Sequence, residues 1–316
     1  MCGSWGSRSW RNCNMEIENF KGEIRLQEPL SKHTSYAIGG PADVFAYPLD
    51  RDDLIALLRE IRGKGLKYFV LGGGTNLLVR DGGFRGVVIS LQRMQAVKIE
   101  REYRSIGGAF VVVSAEAGAP LSRLLSFAAE EGLTGLEFAA GIPGTVGGAV
   151  CMNAGTAAGE FGDVIDAVTL LSPGGELIIR GREEMAFGYR TCTIPDGHLV
   201  LDARIILRRD DKKKVQARVK ELIDARKQRQ PAGLPNAGSM FKNPQEESAG
   251  KLIETAGLKG KTVGNAKVSG KHANFIVNQG NAKASDVLAL MELVKAKVLE
   301  VHGVRLEPEI KIIGED

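Results

Sequence analysis

Two glycine clusters are the residues whose types and spacing point most directly to chemistry. One cluster is GGGTN at residues 72–76, and the other is GIPGTVGG at residues 141–148. Because glycine has no Cβ, such clusters leave successive backbone N–H groups accessible, and a run of these groups binds phosphate oxygens. Either cluster alone could be no more than a crowded turn, but two in one strand-rich region favour a phosphate-binding site.

The clusters do not match the common nucleotide-binding motifs. Neither contains GxxxxGK[ST], and neither supplies the GxGxxG that opens the helix of a Rossmann fold. The interpretation that remains is a dinucleotide held by loops between strands, with its pyrophosphate against backbone amides.

The elements around the clusters are a mixture of helices and strands. Apolar residues at helical spacing predict a helix that is capped by Asp50 and stops at Gly63. A short strand, KYFVLG, runs into the first cluster, and two apolar runs that follow resemble buried strands. Further strands are predicted at VKIE, AFVVVSAEAG and HLVLDARIILR, with a helix ended by Gly132 and a hairpin around Gly174 and Gly175. The first two thirds of the chain are therefore α+β.

A charged run at residues 208–214, RRDDKKK, is a plausible domain boundary. A basic helix with an apolar stripe follows it and stops before Pro231. A last helix begins near Ser285, ends at Gly303 and carries on one side Val287, Met291, Val294, Val298 and Val301. The expected division is a disordered extension at 1–14, a first domain at 15–209 and a second domain at 210–316.

Composition and charge exclude several classes of protein. The 42 basic and 38 acidic residues give too small an excess for a dedicated nucleic-acid binder. The four cysteines lack CxxC spacing, so neither a metal site nor a disulfide framework is expected, and a reducing cytoplasm fits best. No run of 18 apolar residues occurs, and residues 1–14 lack the apolar core of a signal peptide, so neither export nor a membrane span is expected. A monomer is expected.

Six motifs, in order, carry a resemblance to a known family. They are YAIGGPAD, LGGGTNLL, GIPGTVGGAVCMNAG, FGYR, NAGSMFKNP and LEPEI. From about Tyr36 to its end the chain resembles the UDP-N-acetylenolpyruvoylglucosamine reductases of peptidoglycan synthesis. The resemblance implies an α+β fold: an FAD-binding domain of the vanillyl-alcohol-oxidase (PCMH) type in two subdomains, followed by an α+β substrate-binding domain. It implies noncovalent FAD held by Tyr36, Gly39, Gly40, Gly72, Gly73, Gly74, Thr75, Asn76, Gly141, Ile142, Pro143, Gly144, Thr145, Gly147 and Gly148.

The resemblance also implies a reaction in two halves. NADPH gives a hydride to FAD, and the reduced flavin passes it to the enolpyruvyl double bond, which yields UDP-N-acetylmuramate. Hydride addition leaves an enolate, which requires a cation or acid on the carboxylate and a proton donor for the carbon. By motif, Arg190 of FGYR matches the family's arginine, Ser239 of NAGSMFKNP its proton donor, and Glu309 of LEPEI its carboxylate partner.

The same resemblance places the UDP part of the substrate on the C-terminal domain. Lys259, Asn243 and Tyr189 match substrate-binding positions, and His272 stands where the longer branch of the family has a glutamine. Only 49 positions separate Arg190 from Ser239, so the chain resembles the short branch, which lacks an extra tyrosine-bearing loop.

Two other interpretations are open at this point. An FAD oxidase of the same fold would use the same glycine clusters. Such oxidases often tether the flavin through His or Cys; neither cluster contains His and Cys151 is a weak candidate, so noncovalent FAD is favoured. Nucleic-acid binding by the basic helix is disfavoured because Glu221 and Asp224 interrupt its charge and no aromatic platform accompanies it. No motif in the sequence identifies NADPH as the reductant.

Overall fold

The computed structural model describes residues 20–231, 233–245 and 247–316. The extension predicted at 1–14, together with Cys2 and Cys13, lies outside these ranges. Within them, no helix combines the length and the apolar character that crossing a lipid bilayer would require.

The described chain alternates short strands with six α-helices. The helices are α1 (Arg51–Gly63), α2 (Leu121–Glu130), α3 (Val146–Cys151), α4 (Lys212–Arg229), α5 (Ala249–Thr255) and α6 (Ala284–His302). The strands are β1 (Glu23–Pro29), β2 (Pro41–Tyr47), β3 (Tyr68–Leu71), β4 (Leu77–Val79), β5 (Phe84–Ser90), β6 (Val97–Ser105), β7 (Gly108–Glu116), β8 (Leu133–Thr134), β9 (Gly155–Thr156), β10 (Gly159–Glu160), β11 (Ile165–Leu171), β12 (Leu177–Gly181), β13 (Leu199–Arg209), β14 (Thr262–Val263), β15 (Ala266–Val268), β16 (Ile276–Asn278) and β17 (Lys311–Ile313).

A first, mixed sheet has the order β1-β2-β5-β3. β1 is antiparallel to β2, whereas β2, β5 and β3 run parallel. Helix α1 buries the predicted apolar face in the same core as Val44 and Val87 of this sheet. The Asp50 carboxylate accepts a hydrogen bond from the Asp53 N–H at 2.9 Å, so the predicted N-cap is confirmed.

A second, antiparallel sheet has the order β12-β11-β13-β7-β6, with β8 added beside β13. The predicted hairpin is β11 and β12, and Gly175 in its turn has a φ of 88°. Val111, Val168 and Ile205 of this sheet share one continuous core with α1 and the first sheet. The two sheets therefore form the two subdomains of one unit.

Helix α4 follows the predicted domain boundary but packs on the first unit. Val215 is buried, and Val219, Leu222 and Ile223 pack against the core that the two large sheets share. The division at 209/210 stays a prediction.

The C-terminal unit is a three-stranded antiparallel sheet, β14-β15-β16, with helices α5 and α6. Four of the five residues predicted on the inner side of α6 are buried, but Val301 is 48% exposed, so the prediction is wrong for this residue. At 100° per residue, Val301 and His302 lie equally far from the centre of the inner stripe, on opposite sides of it, and His302 is the one that faces α5. His302 Nε2 lies 3.0 Å from Thr255 Oγ1 of α5.

The last strand returns to the first unit. β17 pairs in parallel with β4, with Lys311 opposite Leu77 and Ile313 opposite Val79. Because β4 directly follows the first glycine cluster, this pairing brings the LEPEI motif beside residues 72–76.

Candidate active site

A cleft of about 1190 Å³ lies where the two glycine clusters meet the C-terminal segments. Arg190, Ser239 and Glu309 all line it, although they are far apart in the sequence. The predicted cofactor-binding residues that also line it are Gly72, Gly73, Gly74, Thr75, Asn76, Ile142, Pro143, Gly144, Thr145, Gly147 and Gly148.

The two clusters touch each other, main chain against main chain. A Cβ on Gly73 would lie 2.9 Å from the Cα of Gly144, which is closer than real Cβ contacts allow. The Thr75 hydroxyl donates to the Pro143 carbonyl at 3.3 Å. The glycines are therefore required for the two loops to form one continuous wall of the cleft.

The first cluster presents a run of free backbone amides. The N–H groups of residues 72–76 donate no hydrogen bond to any other described residue. Gly72 and Gly73 are exposed at the cleft, while Gly74 has a φ of 62° and sits against the His33 carbonyl. Because successive backbone N–H groups without a protein acceptor can converge on one anion, residues 72–76 are suited to an acceptor-rich ligand such as a diphosphate.

The second cluster is not a loop throughout, contrary to what its glycine content predicts. Residues from Val146 to Cys151 form α3, and Thr145 caps it by accepting from the Gly148 N–H at 3.4 Å. A Cβ on Gly147 would lie 2.9 Å from the Cβ of Ala117. Close packing on the end of β7 compensates for the low helix propensity of glycine here.

Arg190 sits in a tight turn with an unusual backbone. Gly188 and Thr191 exchange two hydrogen bonds, N–H to C=O at 3.0 and 3.2 Å, so Tyr189 and Arg190 occupy the centre of the turn. Arg190 has a φ of 56°, in the left-handed region that suits glycine. Such strain at a non-glycine residue is frequent at functional sites, and no feature of the sequence predicted it.

Arg190 and Glu309 form an ion pair at the cleft wall. Nε of Arg190 lies 2.8 Å from Oε1 of Glu309, but it has no well-aligned hydrogen-bond partner among the described residues. Nη1 donates to the Gly155 carbonyl at 3.2 Å. Burial raises the pKa of Glu309, and the opposing effect of the Arg190 charge does not cancel this rise.

The residues that follow Ser239 pair with the backbone at Glu309. The Glu309 N–H donates to the Met240 carbonyl at 2.9 Å, next to a bridge between Phe241 and Pro308. The buried amide of Asn274 closes two further hydrogen bonds with the Phe241 main chain, at 2.8 and 3.0 Å. The serine motif and the glutamate motif therefore form one rigid segment.

The predicted substrate residues lie outside the cleft lining, towards α5. Lys259 Nζ lies 2.7 Å from Glu254 Oε1. Burial, aided by the Lys259 charge, lowers the pKa of His272. Asn243 accepts from the Ala249 N–H through its side chain, and its own N–H donates to the Tyr189 hydroxyl at 3.3 Å. The Tyr189–Arg190 turn thus meets the NAGSMFKNP segment.

Four predicted cofactor residues do not line the cleft. Tyr36 is completely buried with its hydroxyl 3.8 Å from the Met240 sulfur, and burial raises its pKa. A Cβ on Gly40 would lie 2.2 Å from the Asp81 carbonyl, and one on Gly39 would lie 2.7 Å from a Val79 carbon. Close packing of the chain therefore requires glycine at both positions. For Gly141, the nearest neighbour is the side chain of Arg226.

Three cations that sequence reasoning missed also line the cleft: Lys67, Arg226 and Lys311. Arg226 Nε donates to Gln230 Oε1 at 3.0 Å, and burial together with the Arg190 charge lowers the pKa of Arg226. Lys311 follows Glu309 by two positions, a spacing that puts both on one side of an extended segment and could have identified it. Arg226 belongs to the basic helix, where nothing distinguishes it from its neighbours.

Comparison with known proteins agrees with these features. Residues 42–180 match the family model described as an FAD binding domain. Residues 230–313 match the model described as the C-terminal domain of UDP-N-acetylenolpyruvoylglucosamine reductase.

Individual relatives match over nearly the whole chain. The UDP-N-acetylenolpyruvoylglucosamine reductase of Geotalea uraniireducens is 44% identical over 95% of this chain and 97% of its own length. The enzyme of the same name from Caldanaerobacter subterraneus is 46% identical over 93% of this chain and 95% of its own. The crystal structure of the reductase from Thermus caldophilus has a TM-score of 0.76 at 38% identity, covering 92% of this chain and 98% of that one. The chain belongs to the UDP-N-acetylenolpyruvoylglucosamine reductase family.

Proposed function

We propose that this protein uses FAD bound in the cleft, and NADPH as the reductant, to reduce the enolpyruvyl group of UDP-N-acetylenolpyruvoylglucosamine to UDP-N-acetylmuramate for cell-wall synthesis. The observation that carries the proposal is the convergence of Arg190, Ser239 and Glu309 on a cleft whose glycine wall has five free backbone amides. Family membership supports the substrate and the cofactor.

The glycine wall fits the dinucleotide. The free N–H groups of residues 72–76 match the acceptor-rich diphosphate, and the apolar stretch from Ile142 to Thr145 offers a surface for an apolar ring. When bound there, FAD would supply a carrier that accepts and returns a hydride. Attachment is noncovalent in this proposal, although Cys151 lines the cleft as a free thiol.

Arg190 and Glu309 are assigned to stabilise the negative charge that develops on the substrate. Hydride addition leaves an enolate, and the guanidinium can bind its oxygens with the N–H groups that Gly155 does not occupy. Because burial raises the Glu309 pKa, the carboxyl keeps its proton to higher pH than an exposed glutamate does, and in its protonated form it can donate a further hydrogen bond to the same oxygens.

Ser239 is assigned to the proton that completes the reaction. Ser239 lines the cleft, as Glu309 does, and no His or Lys is adjacent to it in the sequence that would activate it as a nucleophile. The pairing of residues 240–241 with residues 308–309, directly after Ser239, holds the donor in place.

The C-terminal residues are assigned to the nucleotide part of the substrate. Lys259 and His272 lie near each other, and the Asn243–Tyr189 hydrogen bond links that region to the arginine turn. Since one chain supplies every candidate catalytic residue, the proposal needs no second subunit, and a monomer acting in the cytoplasm is its simplest form. Nucleic acid has no part in it.

An anaerobic experiment tests this proposal. The purified protein should be yellow, and NADPH should bleach the flavin absorbance. Added UDP-N-acetylenolpyruvoylglucosamine should then restore the colour in stoichiometric amount. If oxygen restores the colour quickly while the enolpyruvyl substrate has no effect, the protein is an oxidase of the same fold and the proposal is wrong.

A further inference from the structure

We infer that Asn153 is a positioning residue that holds the Tyr189–Arg190 turn in its strained, ligand-facing conformation. The inference rests on the proposed role of Arg190. Asn153 follows α3, is completely buried and does not line the cleft, so it acts on a ligand only through other residues.

The side chain of Asn153 links the main chains of two segments. Its Nδ2 donates to the Gly188 carbonyl at 3.0 Å, and its Oδ1 accepts from the Gly162 N–H at 2.8 Å. Gly188 is the first residue of the turn, and its carbonyl also accepts from the Thr191 N–H. The turn is therefore anchored from outside by one buried amide group.

The residue type is tightly specified at this position. Asn153 has a φ of 41°, and asparagine tolerates the left-handed region better than most non-glycine residues. Only a side-chain amide of this length supplies one donor for Gly188 and one acceptor for Gly162. Gly162 has no room for a side chain, since a Cβ would lie 2.8 Å from Phe187 and 3.2 Å from Asn153 Oδ1.

The same segment also holds the other end of the arginine. Two residues after Asn153, the Gly155 carbonyl accepts from Arg190 Nη1 at 3.2 Å. Residues 151–155, CMNAG, thus contact both the turn, through Asn153 and Gly188, and the guanidinium of Arg190, through the Gly155 carbonyl. Without the anchor at Gly188, the left-handed conformation of Arg190 has less to hold it, because such strain persists only where surrounding contacts determine it.

Asn153→Asp tests the anchor with the smallest change. The carboxylate keeps the acceptor for Gly162 and the tolerance of a positive φ, but it replaces the donor to Gly188 with an acceptor. We expect hydrogen exchange of the Gly188 and Thr191 amides to accelerate about tenfold, whether or not FAD is bound. Flavin reduction by NADPH should keep its parent rate, whereas reoxidation by the enolpyruvyl substrate should slow by at least about tenfold. If the aspartate variant does not fold, Asn153→Gly replaces it in the test, because glycine keeps the backbone conformation and removes both side-chain hydrogen bonds.

Asn278→Asp is the matched control. Asn278 is also a buried asparagine that donates to a backbone carbonyl, that of Tyr36 at 3.1 Å, and accepts from two N–H groups. Its substitution should lower thermal stability comparably and leave exchange in the Gly188–Thr191 turn and both half-reactions unchanged.

A double-mutant cycle separates this inference from the proposed function. In an Arg190→Ala background, Asn153→Asp should slow reoxidation no further, because its effect passes through the arginine. Unchanged exchange in the turn, equal slowing of both half-reactions, or a full additional loss in the Arg190→Ala background would overturn the inference. If the parent protein itself does not use the enolpyruvyl substrate, the proposed function fails, while the exchange measurement still decides whether Asn153 holds the turn.

Discussion

Nε of Arg190 lies 2.8 Å from Oε1 of Glu309, although the two residues are far apart in the sequence. The Nε–H of Arg190 makes no well-aligned hydrogen bond to the Glu309 carboxylate, and Nη1 donates to the Gly155 carbonyl. Burial keeps the Glu309 pKa raised despite the neighbouring positive charge. The pair therefore offers both a cation and a protonatable acid to an anionic group that enters the cleft.

The raised Glu309 pKa predicts a specific dependence of stability on pH. In the unfolded chain the carboxyl titrates at its ordinary value of 4.5, while in the folded protein it holds its proton to higher pH. Between these two values the folded state binds more protons, so its stability falls as pH rises. Glu309→Gln removes this contribution. Denaturant unfolding from pH 4 upward should show the parent losing stability relative to the variant through this window, and a constant difference would contradict the prediction.

Ser239→Ala should affect one half-reaction only. The change removes a hydroxyl and little volume, so folding and FAD content should persist. Stopped-flow reduction by NADPH should match the parent, and reoxidation by substrate should slow by about 10²-fold or more, as for a lost general acid. Ser239→Cys keeps a transferable proton and should recover part of the rate. Equal slowing of both halves would show instead that Ser239 shapes the flavin site.

Arg190→Lys should separate charge from geometry. Lysine keeps the positive charge but lacks the planar fork and the bond to the Gly155 carbonyl. We expect reoxidation by substrate to slow by roughly 10²-fold, the size of a lost oxyanion donor, with FAD binding unchanged. The measurement is the single-turnover rate at saturating substrate. A rate equal to that of the parent would mean that charge alone suffices.

Gly73→Ala should weaken FAD binding by pushing the two glycine loops apart. The added Cβ would lie 2.9 Å from the Cα of Gly144, and neither is the end of a flexible side chain. We expect at least about tenfold weaker FAD in a fluorescence titration, which corresponds to ~1.4 kcal/mol. Gly63→Ala is the control, because a Cβ there meets nothing within 4 Å at the end of α1, and it should bind FAD as the parent does. Equal affinity in both variants would refute the role of the loop contact.

Much of the fold could be predicted from sequence because its signals are local. Asp50 caps α1, glycine ends α6 at Gly303, and the hairpin turns at Gly174 and Gly175, all within a few residues of the apolar pattern that defines each element. The two glycine clusters together likewise indicated a phosphate site before any family resemblance was used, and the six motifs identified the family.

What the sequence by itself determined is therefore the set of elements, the glycine clusters and the residue types at the candidate site. Tertiary structure alone decided how they meet: β17 returns to β4, α4 brings Arg226 to the cleft, and Asn153 anchors the Arg190 turn. Each of these depends on a contact between residues distant in the chain. Local propensity and periodicity extend over a few residues only, so they carry no information about which distant carbonyl a buried amide will reach.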